Sequence, residues 1–157
     1  MSGTTPRVID GVRRPGPDVR ADTLADGQGR GVFAVRTFES GEFIGYFEGR
    51  ISKTRTRMTL QFGRDLHVEA REDGALRFLN HACHPKAVFR GRDLYAARDI
   101  AEGEEIRIDY TCHEFELACP FDCHCGAEDC IGRVRGYRHL SDAQKQVRAD
   151  RIGNWLR

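Results

Sequence analysis

The chain has 157 residues, with 25 Lys and Arg against 24 Asp and Glu and a formal net charge of +1 at pH 7. This length suits one domain around one core. The balanced charge excludes attachment to nucleic acid or membranes through bulk charge, so we expect no direct nucleic-acid binding and no membrane partner. No apolar run reaches the length of a membrane span and no signal-peptide pattern is found. We therefore expect a soluble intracellular protein, cytoplasmic in a bacterium and nuclear in a eukaryote or after delivery to a host.

Short strands are the predicted elements over most of the chain. Residues 1–28 carry Gly and Pro at irregular spacing and predict an N-terminal arm followed by a first strand. From Gly31 onward, apolar runs alternate with turn signals, which is typical of a β-rich domain. These runs are GVFAVRTF, FIGYFEG, LHVEA, DLYAARDI and EIRIDY. The segment SKTRTRMTLQ, after the second strand, is predicted to be a variable insertion.

The C-terminal stretch predicts a helix. Ser141 and Gln144 have the spacing of a capping box, in which each residue satisfies a backbone N–H group of the other at the start of a helix. Trp155 and Leu156 are the apolar residues expected to anchor this terminal helix to the core.

The first motif is Gly29-Arg30-Gly31, directly before a predicted strand. Two glycines allow a sharp turn and a close approach of the backbone to a ligand, because neither has a Cβ atom. Such glycine pairs more often mark a plain turn at a strand entry, so this motif alone is weak.

The second motif is RFLNHACHP, at residues 77–85. Asn80 and His81 place an amide and an imidazole, both able to donate and accept hydrogen bonds, close to the thiol of Cys83. Taken singly, these residues are a turn asparagine, a core histidine and a small buried hydrophobe. Their combination is harder to attribute to structure alone.

The third motif is EEIRIDY, at residues 104–110, which predicts a strand after the AEGE turn. An alternating edge strand that ends in a buried Tyr110 explains this pattern as well as a functional site does. We expect Asp109 to orient the turn and Glu105 to have a structural role.

The fourth motif is CHCGAEDC, which holds Cys123, Cys125 and Cys130. Without a secretory signal, cysteines this close favour a metal over disulfides. A closed structural zinc site needs four ligands, and this segment supplies three. The fourth ligand must come from another part of the chain.

Together and in this order, the four motifs closely resemble the SET domain with its post-SET extension, over roughly residues 29–132. The resemblance implies a mainly β SET-domain fold of small β-sheets with a knot-like crossing, in which EEIRIDY threads beside RFLNHACHP. It also implies a zinc-bound post-SET segment and a short C-terminal helix. The expected organisation is an N-terminal arm with the first strand at 1–28, a SET core at 29–111, a post-SET zinc segment at 112–133 and a helical tail at 134–157.

The activity that the resemblance implies is S-adenosylmethionine-dependent protein-lysine N-methylation, with a histone or another basic protein as a candidate substrate. Tyr110 is then the catalytic tyrosine, and a water path accepts the lysine proton. His124 is expected to pack the adenine. The implied cofactor-binding residues are Gly29, Arg30, Gly31, Arg77, Phe78, Asn80, His81, Tyr110 and His124. The implied ligands of a structural Zn²⁺ are Cys83, Cys123, Cys125 and Cys130, so that Cys83 is the missing fourth ligand.

Two residues depart from the family pattern in the expected lysine channel. Phe47 stands where the family commonly has Tyr, and Ile108 stands where it commonly has Phe or Tyr. Both departures remove hydroxyl groups, so we expect di- or trimethylation, unless Phe115 or Phe121 fills the space. The alternative function is a non-catalytic, zinc-stabilised SET-like module that binds peptides, which Phe47 favours and Tyr110 opposes. A small zinc ribbon that binds nucleic acid would leave the first three motifs unexplained.

Overall fold

The computed structural model describes residues 7–9, 12–14 and 18–157, with side chains from residue 18 onward. The predicted N-terminal arm therefore lies partly outside the described residues. Within it, strands β1 (Arg7–Ile9) and β2 (Val12–Arg14) form an antiparallel pair. Strand β3 (Val19–Thr23) then pairs antiparallel with the strand that begins at Arg30.

The described residues form a mainly β fold of five small sheets, as predicted. The strands after β3 are β4 (Arg30–Ala34), β5 (Phe43–Tyr46), β6 (Gly49–Ser52), β7 (Thr59–Gly63), β8 (Leu66–Ala70), β9 (Asn80–His81), β10 (Ala87–Arg90), β11 (Asp93–Ala96), β12 (Glu105–Ile108), β13 (Phe121–Asp122) and β14 (Arg133–Val134). The sheet orders are β3-β4-β12-β9, β10-β11-β5, β6-β8-β7, β1-β2 and β13-β14.

Strand β12 carries the predicted crossing. It pairs antiparallel with β4 on one side and parallel with β9 on the other, where Arg107 faces Asn80 and Ile108 faces His81. A parallel pair cannot be joined by a tight hairpin, so the chain between β9 and β12 makes an excursion through β10 and β11 before it returns. The structure thus places EEIRIDY beside RFLNHACHP, and this prediction is confirmed.

The core lies where β4, β5, β7 and β12 meet. Val32, Ile106 and Ile108 are almost fully buried, in agreement with the alternation expected of strands with one buried face. Phe62 packs against Phe47 and against another phenylalanine, each with ring centroids 5.2 Å apart. Such tilted and edge-to-face pairs add to the stabilisation from buried area.

The segment SKTRTRMTLQ is not simply an insertion, because it contains the start of β7. Leu60, Gln61 and Phe62 are all buried, and the register with β8 shifts after Gln61. A strand buried on both faces with a local irregularity shows no period of two, which explains why the sequence pattern missed it.

The predicted capping box is confirmed at helix α1 (Asp142–Val147). The hydroxyl of Ser141 accepts from the Gln144 amide at 3.2 Å, and the Gln144 side chain accepts from the Ser141 amide at 2.9 Å. The helix ends at Val147, so Trp155 and Leu156 do not belong to it. They lie in a separate 3₁₀ turn (Asn154–Leu156), which packs on the core. Among the described residues, no helix has the length and apolar character needed to cross a membrane.

Candidate active site and zinc site

A cavity of about 760 Å³ opens between the Gly29-Arg30 turn, β9 and the segment after β12. Most of the predicted cofactor-binding residues line it together: Gly29, Arg30, Arg77, Phe78, Asn80, His81 and Tyr110. The two expected channel residues, Phe47 and Ile108, line the same cavity. The structure therefore gathers three of the four motifs around one space, although they are far apart in the sequence.

Two predicted residues lie outside the lining of this cavity. Gly31 backs onto Glu105, since a Cβ atom at Gly31 would come within 2.6 Å of the Glu105 carboxylate. Its requirement for glycine therefore comes from packing inside the sheet. His124 is exposed and does not line the cavity, so its packing against the adenine stays a prediction. The aromatic ring that lines the cavity from the cysteine-rich segment is Phe121.

Asn80 and Glu105 join three strands beneath the cavity. The Asn80 amide donates to the Arg30 carbonyl oxygen at 2.8 Å and to Glu105 Oε1 at 2.9 Å. Glu105 Oε2 also pairs with Arg107 at 3.0 Å. A carboxylate engaged in this way holds β4, β9 and β12 in register, in line with the structural role expected for Glu105.

Arg77 and Arg30, both predicted to bind the cofactor, make different contacts. The guanidinium of Arg77 donates to the Ala70 carbonyl oxygen at 2.9 Å and so anchors the 3₁₀ turn (Ala75–Phe78). The guanidinium of Arg30 lies 4.2 Å from the centre of the Phe78 ring, within the range of a cation–π contact. Arg30 and Phe78 together thus form one wall of the cavity.

Tyr110 follows β12 in a 3₁₀ turn (Tyr110–Cys112) and is held at both ends. Its amide donates to His81 Nδ1 at 3.0 Å, and its hydroxyl donates to the Leu79 carbonyl oxygen. Burial, reinforced by the negative charges of Glu114 and Glu105, raises the pKa of Tyr110 above its usual value. The phenol therefore stays protonated at neutral pH, and it acts as a positioned donor and not as a base.

His81 links Tyr110 to the cysteines. Burial lowers the pKa of His81 to about 4, against the opposing charge of Asp109, so the ring is neutral at pH 7. Because Nδ1 accepts from the Tyr110 amide, the ring proton lies on Nε2, which is 3.3 Å from the Cys83 sulfur. Hydrogen bonds from residues outside the ligand set commonly orient metal ligands, and His81 could orient Cys83 in this way.

Asp109 orients the turn, as expected. Its Oδ1 accepts from both the amide and the hydroxyl of Thr111, at 3.0 and 2.6 Å. Its Oδ2 accepts from Arg148 Nε at 2.8 Å, and both side chains are almost fully buried. Sequence reasoning missed Arg148, which lies 39 residues away and has no motif around it.

The four predicted zinc ligands come together, with Cys83, Cys123, Cys125 and Cys130 presenting sulfur atoms within 4.8 Å of one another. Cys83 lies 3.9 Å from Cys123 and 4.0 Å from Cys130, between sulfurs. Four Zn–S bonds of about 2.3 Å in a tetrahedron put sulfurs about 3.8 Å apart, so this group suits zinc.

The other two cysteines lie outside this group. Cys112 is buried against Ile152 and Leu156, and Cys119 is exposed. All six cysteines are free thiols in the structure, so no disulfide competes with a metal for Cys83 or the three cysteines of the fourth motif.

Burial raises the pKa of the Cys83 thiol and raises that of Cys123 to about 11. A bound cation would offset the cost of forming thiolates there.

Comparison with known proteins identifies the family. Residues 29–111 match the family described as SET domain, which is more than half of the chain. The chain belongs to the SET-domain family. Its relatives include an H3 lysine-36 specific histone-lysine N-methyltransferase of Eremothecium gossypii, 32% identical over 154 residues that cover 80% of this chain and 22% of the relative. The histone-lysine N-methyltransferase ASHH3 of Arabidopsis thaliana is 31% identical over 126 residues, covering 65% of this chain and 34% of that relative.

Solved SET-domain structures share the fold. KRYPTONITE, in a complex with mCHH DNA, an H3(1–15) peptide and SAH, aligns with a TM-score of 0.60 and 19% identity over 76% of this chain and 30% of that one. The methyltransferase domain of human SETMAR aligns with a TM-score of 0.60 and 18% identity over 80% of this chain and 60% of that one. The chain spans less than half the length of these curated relatives, so the similarity concerns their SET domains and not the rest of those proteins.

Proposed function

We propose that this SET-domain chain is an S-adenosylmethionine-dependent protein-lysine N-methyltransferase with a structural Zn²⁺ in its post-SET segment. The observation that carries the proposal is the shared cavity, where Tyr110 meets the Gly29-Arg30 turn and the Asn80-His81 strand. Family membership and histone-lysine methyltransferase relatives support the reaction class. The SAH named in the KRYPTONITE complex supports the cofactor.

S-adenosylmethionine would supply an electrophilic methyl group on a sulfonium. The residues around the cavity account for the rest of the reaction. A lysine amine has a reference pKa of about 10.4 and is protonated in water at pH 7. The apolar walls formed by Phe47, Leu60 and Ile108 disfavour its charged form through desolvation.

Orientation is the contribution of Tyr110. Its hydroxyl is fixed on the Leu79 carbonyl oxygen, so the two oxygens lie side by side at the cavity. Oxygens in this arrangement can accept weak C–H···O contacts from a methyl group and align it with an incoming amine. Holding two reacting groups in line supplies a large part of the acceleration in such transfers.

Zinc would connect the second motif to the post-SET segment. Cys83 follows His81 in the loop after β9, whereas the other three cysteines lie 40 or more residues later. A metal bound by all four would fix Leu117 and Phe121, which pack around this cysteine cluster and also line the cavity. The metal would thus be structural and still necessary for activity.

The substrate is proposed to be a protein with an accessible lysine, with histones and other basic proteins as candidates. Relatives are named for histone H3 lysine 36, and the KRYPTONITE complex contains an H3 peptide and DNA. For this chain we propose no direct DNA contact, because its formal charge is +1.

Calorimetry with S-adenosylmethionine and its demethylated product tests the cofactor. Zinc-loaded protein should bind both saturably, and an absence of binding would contradict the proposed function. Transfer of labelled methyl groups to a panel of histones, other DNA-binding proteins and host lysate then tests the reaction.

A non-catalytic peptide-binding module is the second candidate, and Phe47 favours it. This residue is 3% exposed, packs between aromatic rings and offers no hydroxyl to the cavity. Binding of a lysine peptide without any methyl transfer, in protein that binds the cofactor weakly or not at all, would favour the module over the enzyme.

A further inference from the structure

A buried carboxylate in the cavity has no role in the mechanism above. Glu114 is 6% exposed and lines the cavity together with Tyr110 and Ile108. Its amide donates to the Tyr110 carbonyl oxygen at 2.8 Å, so the turn that positions Tyr110 also positions Glu114. Among the described residues that line the cavity, Glu114 is the sole carboxylic acid.

The two oxygens of Glu114 have different environments. Oε1 accepts from the backbone amide of Gln61 at 2.8 Å, and the side-chain oxygen of Gln61 in turn accepts from the backbone amide of Phe115 at 2.9 Å. This reciprocal pair fixes the carboxylate against β7. Oε2 has no hydrogen-bond partner within residues 18–157, and protein atoms do not enclose it fully. Oε2 is therefore open to the cavity.

The pKa of Glu114 lies near neutral pH. Burial raises the pKa of Glu114 to about 7, while the hydrogen bond from Gln61 and the positive charge of Arg55 oppose this rise. A carboxylate with such a pKa is suited to proton transfer at physiological pH. The titratable groups on the elements around it are the cations Arg55 and Arg57, the rings of His67 and His113, the phenols of Tyr110 and Tyr137, and the carboxylates of Glu69, Glu105 and Glu116.

Tyr110 and His81, two other titratable residues at the cavity, are already engaged. The Tyr110 hydroxyl donates to the Leu79 carbonyl oxygen and stays protonated. His81 uses Nδ1 to accept from the Tyr110 amide and directs its N–H group at Cys83. Neither residue has a free basic site, whereas Glu114 has one.

We propose that Glu114 binds the ammonium group of the target lysine through Oε2 and accepts its proton before methyl transfer. This inference rests on the proposed function, and Glu114 takes the place of the water path expected from the sequence as the first proton acceptor. An N–H bond of the ammonium breaks, an O–H bond forms on Glu114, and the electron pair stays on the amine nitrogen. That nitrogen then forms a bond to the methyl carbon as the carbon–sulfur bond breaks, and the sulfur keeps the bonding pair. The proton leaves Glu114 for solvent when the product departs.

Glu114→Gln tests this role with little change of structure, because the amide oxygen can still accept from the Gln61 amide. Glu116→Gln is the matched control, since Glu116 is partly exposed and pairs with Arg138 outside the cavity. We expect Glu114→Gln to lower kcat/KM by about 100-fold or more at pH 7, the usual scale of general base catalysis. The loss should shrink as the pH approaches the lysine pKa of about 10.4, where the amine needs no protein base.

Cofactor affinity distinguishes a structural defect from a catalytic one. Both variants should bind S-adenosylmethionine as the native protein does, by calorimetry. A loss of kcat/KM in Glu114→Gln that is the same at every pH, or one that Glu116→Gln shares, would overturn the proposal.

A readout independent of turnover is the carboxyl carbon resonance of Glu114 in protein labelled with ¹³C-glutamate, assigned by its absence in Glu114→Gln. Addition of n-butylammonium chloride, a mimic of the lysine side chain, should lower the apparent pKa of Glu114, because a nearby cation favours the carboxylate. Sodium chloride at the same ionic strength is the control. An unchanged titration with n-butylammonium would refute ammonium binding by Glu114, whereas failure of the native protein to bind the cofactor would refute the proposed function instead.

Discussion

Replacing Arg148 with alanine would remove the partner of a buried carboxylate. Arg148 Nε donates to Asp109 Oδ2 at 2.8 Å, and the two side chains are 1% and 0% exposed. Arg151 also approaches Asp109 Oδ2, at 3.6 Å, but this distance is too long for a good hydrogen bond. The variant would thus leave Asp109 charged and poorly paired in the core, directly before Tyr110.

The size of the effect follows from the burial of this pair. Removing one partner of a buried ion pair costs about 3–5 kcal/mol, because the remaining charge stays desolvated. In a chain of this size each kcal/mol lowers Tm by about 2–4 °C, which gives a decrease of roughly 6–20 °C. By contrast, Arg138 and Glu116 form an ion pair with side chains 51% and 33% exposed. Loss of such a surface pair costs about 0–1 kcal/mol.

Urea denaturation of zinc-loaded Arg148→Ala and Arg138→Ala, compared with the native protein, measures both losses. The double variant Arg148→Ala, Asp109→Asn should recover part of the stability, since it also removes the unpaired charge. If Arg148→Ala were no less stable than Arg138→Ala, the buried ion pair would not have the structural role assigned to it.

Four further predictions concern the site. Metal analysis should find one equivalent of zinc in the native protein and in Cys112→Ser, and none in Cys125→Ser; the reverse result would refute the ligand set. Tyr110→Phe should lower turnover and leave the cofactor Kd within about a few fold, because the hydroxyl acts on the transferring methyl, and an unchanged rate would contradict this. Ile108→Tyr should shift the products seen by mass spectrometry toward monomethyl-lysine, since it returns a hydroxyl to the cavity; a native enzyme that stops at one methyl group would refute the interpretation of Ile108. Between pH 4.5 and about 7 the folded chain holds a proton on Glu114 that the unfolded chain releases, so native stability should fall relative to Glu114→Gln as pH rises through this window, and parallel urea midpoints that do not diverge would contradict the raised pKa.

Elements that are formed by hydrogen bonds between residues close in the chain could be predicted from the sequence. The capping box of Ser141 and Gln144 is an example, because its hydrogen bonds join residues three apart. The approach of Cys83 to the later cysteines was also predicted, but through the resemblance of ordered motifs and not from spacing. The spacing of these four sulfurs agrees with the geometry of a tetrahedral site.

Residues whose role depends on distant packing could not be predicted. Glu114 becomes a cavity residue because β7 lies against the turn after β12, and β7 itself had no readable alternation. His124 and Phe121 show the same difficulty, since both are rings close to Cys123 in the sequence. Only the fold determines that Phe121 faces the cavity while His124 is exposed.

The segment from Asp109 to Glu114 is held from two directions, and this explains how so short a turn can position reacting groups. The C-terminal residues satisfy its backbone, because the Gly153 amide donates to the Cys112 carbonyl oxygen and the Trp155 indole donates to that of His113, both at 2.9 Å. A 3₁₀ turn leaves such carbonyl groups without internal partners, and burying them unpaired would be costly. On the opposite side, the cysteine-rich segment packs Phe121 against the Tyr110 ring, with centroids 5.9 Å apart. The tail and the proposed zinc segment therefore stabilise the same turn from different faces, so a change in either one should be transmitted to Tyr110 and Glu114 together.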